Sequence, residues 1–238
     1  RRCFIRIHRF RAMHAEMREW IRGLADVVFP PVCVHCRGQP APGIDGGGVV
    51  HLWPRCVAER GFVRPPHCTT CGHPFYGVVE GGRSCVKCAG LEPEFDEGRT
   101  AVLFKGPARA LVIELKYHRG LHVLADMAEI FRRSAHVLER VRGSTLVPVP
   151  LHPRKARERG YNQSELLART LADVAGGGAR VETLLRRNVD TQTQTAFDRR
   201  TRLANLKNAF ALAPGASINP ALHYTLVDDV FTTGSTLN

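Results

Sequence analysis

An α/β domain with a parallel sheet and helices on both faces, preceded by a small cysteine-rich zinc-ribbon-like domain, is the architecture this sequence predicts. Three observations carry it. From Phe95 onward, short apolar runs alternate with stretches of helical periodicity, the strand–loop–helix–strand order that builds a parallel sheet. Seven of the eight cysteines lie between positions 33 and 88, and three pairs of them are spaced Cys-x-x-Cys. Near the end, the run Tyr224-Thr225-Leu226-Val227 passes directly into Asp228-Asp229 and then into a loop of small hydroxyl residues. Open α/β sheets bind ligands at the carboxyl ends of their strands, so two acids at that point face a site.

The 238 residues suffice for one domain of ordinary size and a small appendage. Hydrophobic residues make up 44% and charged residues 24%, which supports a packed core in a soluble protein. No stretch approaches the roughly 18 uncharged apolar residues that a membrane helix needs, so no membrane span is expected. The formal charge is +12 and the isoelectric point near 9.9, which favours a polyanionic partner, either nucleic acid or small phosphates. With no apolar signal segment in view, a cytoplasmic location is expected, and in that reducing setting paired Cys-x-x-Cys units read as metal sites before disulfides.

Residues 1–27 form a basic extension. The apolar spacing of Phe10, Met13, Met17, Trp20 and Ile21 is partly helical, Met13 and Met17 are internal start candidates, and the segment reads as lying upstream of the fold. Residues 28–92 form the cysteine-rich domain. Rich in Gly, Pro and His, they cannot build an ordinary core, and a bound metal would supply the missing stability. Cys68-Thr-Thr-Cys71 and Cys85-Val-Lys-Cys88 enclose thirteen residues, a zinc-ribbon spacing in which four thiolates close a tetrahedral structural site. Upstream, Cys33-Val-His-Cys36 is a second knuckle. Its expected mate, Trp53-Pro-Arg-Cys56, has a tryptophan where the second pair would need a cysteine. Cys33, Cys36 and Cys56 remain, with His51 or His67 as the fourth ligand or with no fourth ligand at all. Cys3 is an unassigned thiol.

Residues 93–238 form the α/β domain. A short strand is expected over 99–104, a helix over 108–117 from the spacing of Leu111, Val112 and Leu115, and one long amphipathic helix over 121–141. Residues 146–150 read as a buried strand stopped by proline. A basic loop with Arg154, Lys155, Arg157 and Arg159 follows over 151–162. Ser164 is expected to cap a helix running through Leu166, Leu167, Leu171 and Val174, ended by Gly176-Gly177-Gly178. A second basic, polar segment covers 186–207.

The terminal stretch carries the chemistry. Asp228 and Asp229 suit vicinal hydroxyls. Thr232, Thr233, Gly234, Ser235 and Thr236 suit an anion closed in by backbone N–H groups and hydroxyls, best at a helix N-terminus. Together they describe a site for a sugar phosphate.

This stretch resembles the phosphoribosyl-pyrophosphate (PRPP) motif of the type I phosphoribosyltransferases. The resemblance implies that Asp228 and Asp229 hold the ribose hydroxyls while Thr232, Thr233, Gly234, Ser235 and Thr236 hold the 5′-phosphate. The wider pattern resembles the ComF family over about residues 28–238. It is carried by Leu115-Lys116-Tyr117, Val147-Pro148-Val149-Pro150-Leu151-His152, Arg159-Gly160-Tyr161-Asn162-Gln163-Ser164, Thr191-x-Thr193-Gln194-Thr195, and Arg199 with Asn205-Leu206-Lys207-Asn208-Ala209-Phe210. The resemblance implies a type I phosphoribosyltransferase-like sheet, a pyrophosphate loop over 148–154, and a hood over 186–202 that closes on PRPP. Arg154 and Arg159 then meet phosphate oxygens with the forked geometry that lysine lacks, and Mg²⁺ accompanies PRPP as an ion that prefers hard oxygen ligands. The family continues past the threonine loop with a helix and further sheet, whereas this chain ends at Asn238; a chain truncated at its C-terminus is expected from that comparison.

Three functions follow as expectations. One is an enzyme of the glycosyltransferase class, a phosphoribosyltransferase acting from PRPP or another ribose phosphate and linked to DNA uptake and competence, with competence-machinery proteins as partners. The second is a non-catalytic module on the same fold that binds single-stranded DNA. The third is an inactive truncated fragment.

Overall fold

The computed structural model describes residues 32–38, 51–52, 55–56, 61–75, 84–86, 88, 93–188 and 209–231. The basic extension over 1–27, Cys3, Trp53, the threonine loop at 232–236 and residues 189–208 of the second basic segment lie outside them.

Three strands form a parallel sheet in the order β2-β1-β5. Strand β1 (Thr145–Pro148) is buried at all four positions, as expected of a central parallel strand. It pairs with β5 (Tyr224–Val227) in the register Thr145↔Tyr224 through Pro148↔Val227, and with β2 (Arg180–Val181) from Thr145↔Arg180. Pro148 has no N–H to donate, yet the pairing continues one residue beyond it, where Val149 N–H donates to the Val227 carbonyl at 3.0 Å. A separate antiparallel pair joins β3 (Leu185–Arg187) to β4 (Phe210–Leu212).

The helices match the expected pattern in part. Helix α1 (Gly106–Tyr117) buries Pro107, Ala108, Leu111 and Leu115 along one stripe. The long helix expected over 121–141 is instead a 3-10 turn (Leu121–Val123) followed by α2 (Leu124–Arg132) and α3 (Ala135–Val141). The break falls at Ser134, which is 2% exposed and whose hydroxyl donates back to the Ile130 carbonyl at 2.8 Å. That local bond competes with helix continuation, and the two pieces tilt so that Ile130, Val137, Leu138 and Val141 all reach the core.

The basic loop expected after β1 holds a helix, α4 (Pro153–Arg159). Proline at its first turn, His152 accepting the Arg154 N–H, and Gly160 at φ 87° supply both ends, while Arg, Lys, Ala and Glu are strong helix formers. Helix α5 (Gln163–Ala175) is capped by Asn162 rather than Ser164. The strand expected over 99–104 is limited to a single bridge, Phe62↔Val102, because this segment meets the cysteine-rich domain and not the parallel sheet.

One core unites the sheet domain with the first knuckle. Cys33, Val34, Leu52 and Cys56 pack with Leu111, Leu115, Val123, Met127, Leu146, Leu167, Leu171 and Val227. The second cysteine group forms its own small cluster, with Phe75 and Phe231 against it.

Candidate functional site

The site grows from the carboxyl end of β5. Asp228 Oδ1 accepts hydrogen bonds from the Ser164 hydroxyl at 3.1 Å and from the Asp229 N–H at 2.9 Å. Ser164 is 1% exposed and sits in the first turn of α5, where the helix dipole favours a nearby anion. Asn162 fixes that helix start. Its side-chain oxygen accepts the Ser164 N–H at 3.1 Å, and its amide donates to the Val149 carbonyl at 3.0 Å, tying α5 to the end of β1.

A second tie reaches α1. The Tyr161 hydroxyl donates to the Leu115 carbonyl, Arg159 donates to Gln163 Oε1, and the Arg159 guanidinium lies 5.7 Å from the centre of the Tyr117 ring. Between Leu115 and Tyr117, Lys116 Nζ stands 2.7 Å from Asp229 Oδ2. The three motif blocks around 115–117, 159–164 and 228–229, far apart in sequence, therefore form one connected cluster.

Burial first, and the Asp229 charge second, push the Asp228 carboxyl above its ordinary value; the Asp229 N–H, Ser164 and Lys116 work against that rise. The Asp229 side chain is 5% exposed. Its Oδ2 is held by the charge of Lys116 without a well-directed hydrogen bond. A buried carboxylate oxygen with unused acceptor capacity is uncommon in a settled fold and suits a donor brought by a ligand. A cavity of about 820 Å³ runs from these acids along Val230 and Phe231 to Cys71 and Cys88, walled by α1, α2 and residues 94–105.

The metal centre is clear at the second knuckle pair. Cys68, Cys71, Cys85 and Cys88 are all buried, and their sulfurs lie within 4.8 Å of one another. The set is that of a closed Cys₄ zinc site. Burial works to raise the Cys68 thiol, but the N–H groups of Cys85 and Cys71 outweigh it and bring it down to about 7. Burial pushes Cys88 up to about 11 and Cys71 higher still. The knuckle packs so tightly on residues 98–100 that only glycine fits at two points. A Cβ at Gly98 would lie 2.3 Å from the Thr70 carbonyl oxygen, and one at Gly72, which has φ +70°, would lie 2.5 Å from the Thr100 nitrogen.

The first knuckle brings Cys33, Cys36 and Cys56 together, again within 4.8 Å. Neither histidine considered as its fourth ligand joins them. His51 instead binds Asp126, its ring Nδ1 at 2.8 Å from Oδ2 and its backbone N–H 3.1 Å from Oδ1, and its ring packs on His122 with centres 4.5 Å apart. Asp126 is fully buried, so it takes the histidine as its partner. His67 packs on His136 at 5.4 Å, beside the other cluster.

Of the expected phosphate-binding arginines, Arg159 is engaged with Gln163 and Tyr117, while Arg154 on α4 is an exposed side chain 3.9 Å from Glu158. Thr232, Thr233, Gly234, Ser235 and Thr236 lie outside the described residues. Lys116, Tyr161 and Asn162 stand in the resembling blocks, yet nothing local in the sequence marks a lysine near the end of one helix as the partner of an acid more than a hundred residues later. Arg55, which hydrogen-bonds the Cys36 sulfur, carried no signal at all.

Three comparisons bear on this geometry. Residues 24–89 match the family model of the double zinc ribbon domain. The chain is 32% identical to the DNA utilization protein YhgH of Salmonella typhi over 215 residues, 89% of each chain. It is 29% identical to competence protein F of Haemophilus influenzae, over 87% of each chain. The YhgH protein of Escherichia coli strain K12 is 30% identical over 71% of this chain and 74% of its own. No solved structure matches the chain.

Proposed function

The chain belongs to the family of the DNA utilization protein YhgH and competence protein F, and from that premise we propose that it binds a ribose 5-phosphate, with PRPP as the first candidate, at Asp228 and Asp229 in the service of DNA utilization. The observation that carries this reading is the pair of adjacent carboxylates at the carboxyl end of β5, with the Asp229 side chain 5% exposed and its Oδ2 facing only the Lys116 charge at 2.7 Å. Vicinal ribose hydroxyls supply two donors to two adjacent carboxylates. Asp228 is braced by Ser164 and Asp229 by Lys116, so both acids meet the sugar in a set orientation, and little reorganisation is needed on binding.

Mg²⁺ fits the same place, because both acids offer the hard oxygen donors that ion takes; when bound with PRPP it would spread the charge of the pyrophosphate. The residues do the rest. Lys116 offsets the acid pair while the site is empty and would face the negative charge of the ligand when it is filled. Arg159, stacked on Tyr117, lies in the block expected to meet phosphate. Transfer of the phosphoribosyl group to an acceptor, with pyrophosphate leaving, would make the protein a phosphoribosyltransferase; binding without transfer would make it a ribose-phosphate-responsive module. Calorimetric titration of the full chain with PRPP and Mg²⁺ tests the reading. Saturable binding that ribose 5-phosphate displaces is expected, and a folded chain that binds neither compound refutes it.

A second reading keeps one observation of its own. Helix α4 sets Arg154, Lys155, Arg157 and Arg159 within seven residues, with Arg154 and Arg157 exposed. Such a helix suits a nucleic-acid backbone, and relatives named for DNA utilization and competence give it weight.

A further inference from the structure

The two cysteine clusters are not equivalent. The Cys68, Cys71, Cys85 and Cys88 set supplies all four ligands of a tetrahedral zinc from buried side chains. The other set supplies three. Cys33 and Cys56 are buried, but Cys36 is partly exposed, so this cluster reaches the surface on one side. In the sequence, position 53 of the pair 53/56 carries tryptophan where the ribbon pattern places a thiol. Among the described residues no histidine, further cysteine or carboxylate stands with the three sulfurs. His35, inside the knuckle, does not join the three sulfurs, and His51 has its backbone carbonyl bonded to the Val34 N–H of the knuckle at 3.0 Å, while its ring is bound to Asp126 and packed on His122. Turning into the cluster would cost the ring its 2.8 Å contact with a fully buried carboxylate.

Charge separates the clusters too. A zinc ion with four thiolates carries a net charge of −2, and with three it carries −1. The Arg55 guanidinium hydrogen-bonds Cys36 and interacts with the charge of Cys56, so the three-thiolate unit with its arginine is neutral. Tetrahedral zinc with three protein ligands takes its fourth from solution, and a positive side chain beside the exposed edge favours an anion there.

We propose that Cys33, Cys36 and Cys56 hold a zinc ion whose fourth position is open and exchanges a small anion beside Arg55, in contrast to the closed site at Cys68, Cys71, Cys85 and Cys88. Binding replaces one zinc-bound water with the anion; no electrons move and no bond to carbon forms. The site is independent of the acid pair and of whatever binds there.

Cobalt replacement in the full-length chain tests this, with azide as the probe anion. Two cobalt ions per chain are expected, one for each cluster. Azide should shift the ligand-field bands of one of them, saturably, and leave the other unchanged. Trp53→Cys restores the missing thiol, so it should retain both cobalt ions and lose the azide response. Arg55→Ala should retain both ions and need more azide for the same shift. The proposal is overturned by a chain that takes up a single cobalt ion, or by two ions whose bands ignore azide. Unchanged azide affinity in Arg55→Ala would refute the role given to the arginine.

Discussion

Asp228 is a single residue whose burial works against the fold. Its carboxyl is buried beside a second carboxylate and titrates above its ordinary value of 3.8. A raised carboxyl favours the protonated form in the native state. The stability that this one group contributes is therefore fully present only at acid pH; it falls as pH rises from about 3.8 through the higher native value, then stays lost at neutral pH. Asp228→Asn removes that cost while its side-chain oxygen still accepts from Ser164 and from the Asp229 N–H. The expected outcome at pH 7 is a higher melting temperature than wild type together with weaker PRPP binding, measured by thermal denaturation and calorimetry on the same preparation. A lower melting temperature would mean that the ionised carboxylate is structurally required. Lys116 is the counterpart on α1: it lets two adjacent acids share a nearly dry site, and its role became visible only once α1 and β5 were brought together.

At the scale of elements, the second ribbon and the acid loop are mechanically joined. Phe231, two residues beyond Asp229, packs on the Cys₄ cluster, and residues 98–100 are clamped to the knuckle through Gly72, Gly98 and the 2.8 Å bond from the Thr100 hydroxyl to the Cys71 carbonyl. Removing zinc should therefore loosen the end of β5 as well as the ribbon. Chelation is expected to weaken PRPP affinity, and zinc re-addition to restore it; unchanged affinity in a verified zinc-free chain would contradict the coupling. Zinc retention should itself depend on pH. Cys88, near 11, and Cys71, higher still, must lose protons to bind metal, so competition with a chromophoric chelator should show zinc affinity rising steeply with pH and release quickening as pH falls.

Elements also differed in how far sequence disclosed them. β5 and its acids were legible because an apolar run ending in paired carboxylates is a local pattern, and α5 was legible from its periodicity. The divided helix over 121–141 was not, because Ser134 acts through a hydroxyl bond that leaves the apolar spacing intact. Helix α4 was missed because its residues are charged on every side and bury nothing, so no period marked it. The cluster at 115–117, 159–164 and 228–229 was readable as a set of motifs, but its contacts depend on the fold. The division of labour between the two cysteine clusters was half legible: the missing thiol at position 53 stood in the sequence, whereas the capture of His51 by Asp126 did not.

For the whole molecule, a formal charge of +12 and relatives named for DNA utilization keep nucleic acid in view. If α4 meets a single strand through phosphates, the logarithm of affinity should fall with the logarithm of salt at a slope of about −0.7 per phosphate neutralised. Affinity that ignores salt would set that role aside. None of the described helices is long and apolar enough to cross a membrane. The architecture sets a ribbon-braced acid pair in the wall of a cavity of about 820 Å³, and the first knuckle is built into the same core as the sheet. The central claim is that this pair grips ribose hydroxyls. A carboxylate–hydroxyl hydrogen bond contributes about 1.5–3 kcal/mol, so calorimetry with PRPP and Mg²⁺ should show Asp229→Asn binding roughly ten-fold to a hundred-fold more weakly than wild type. Equal affinity in a folded Asp229→Asn chain would contradict the account.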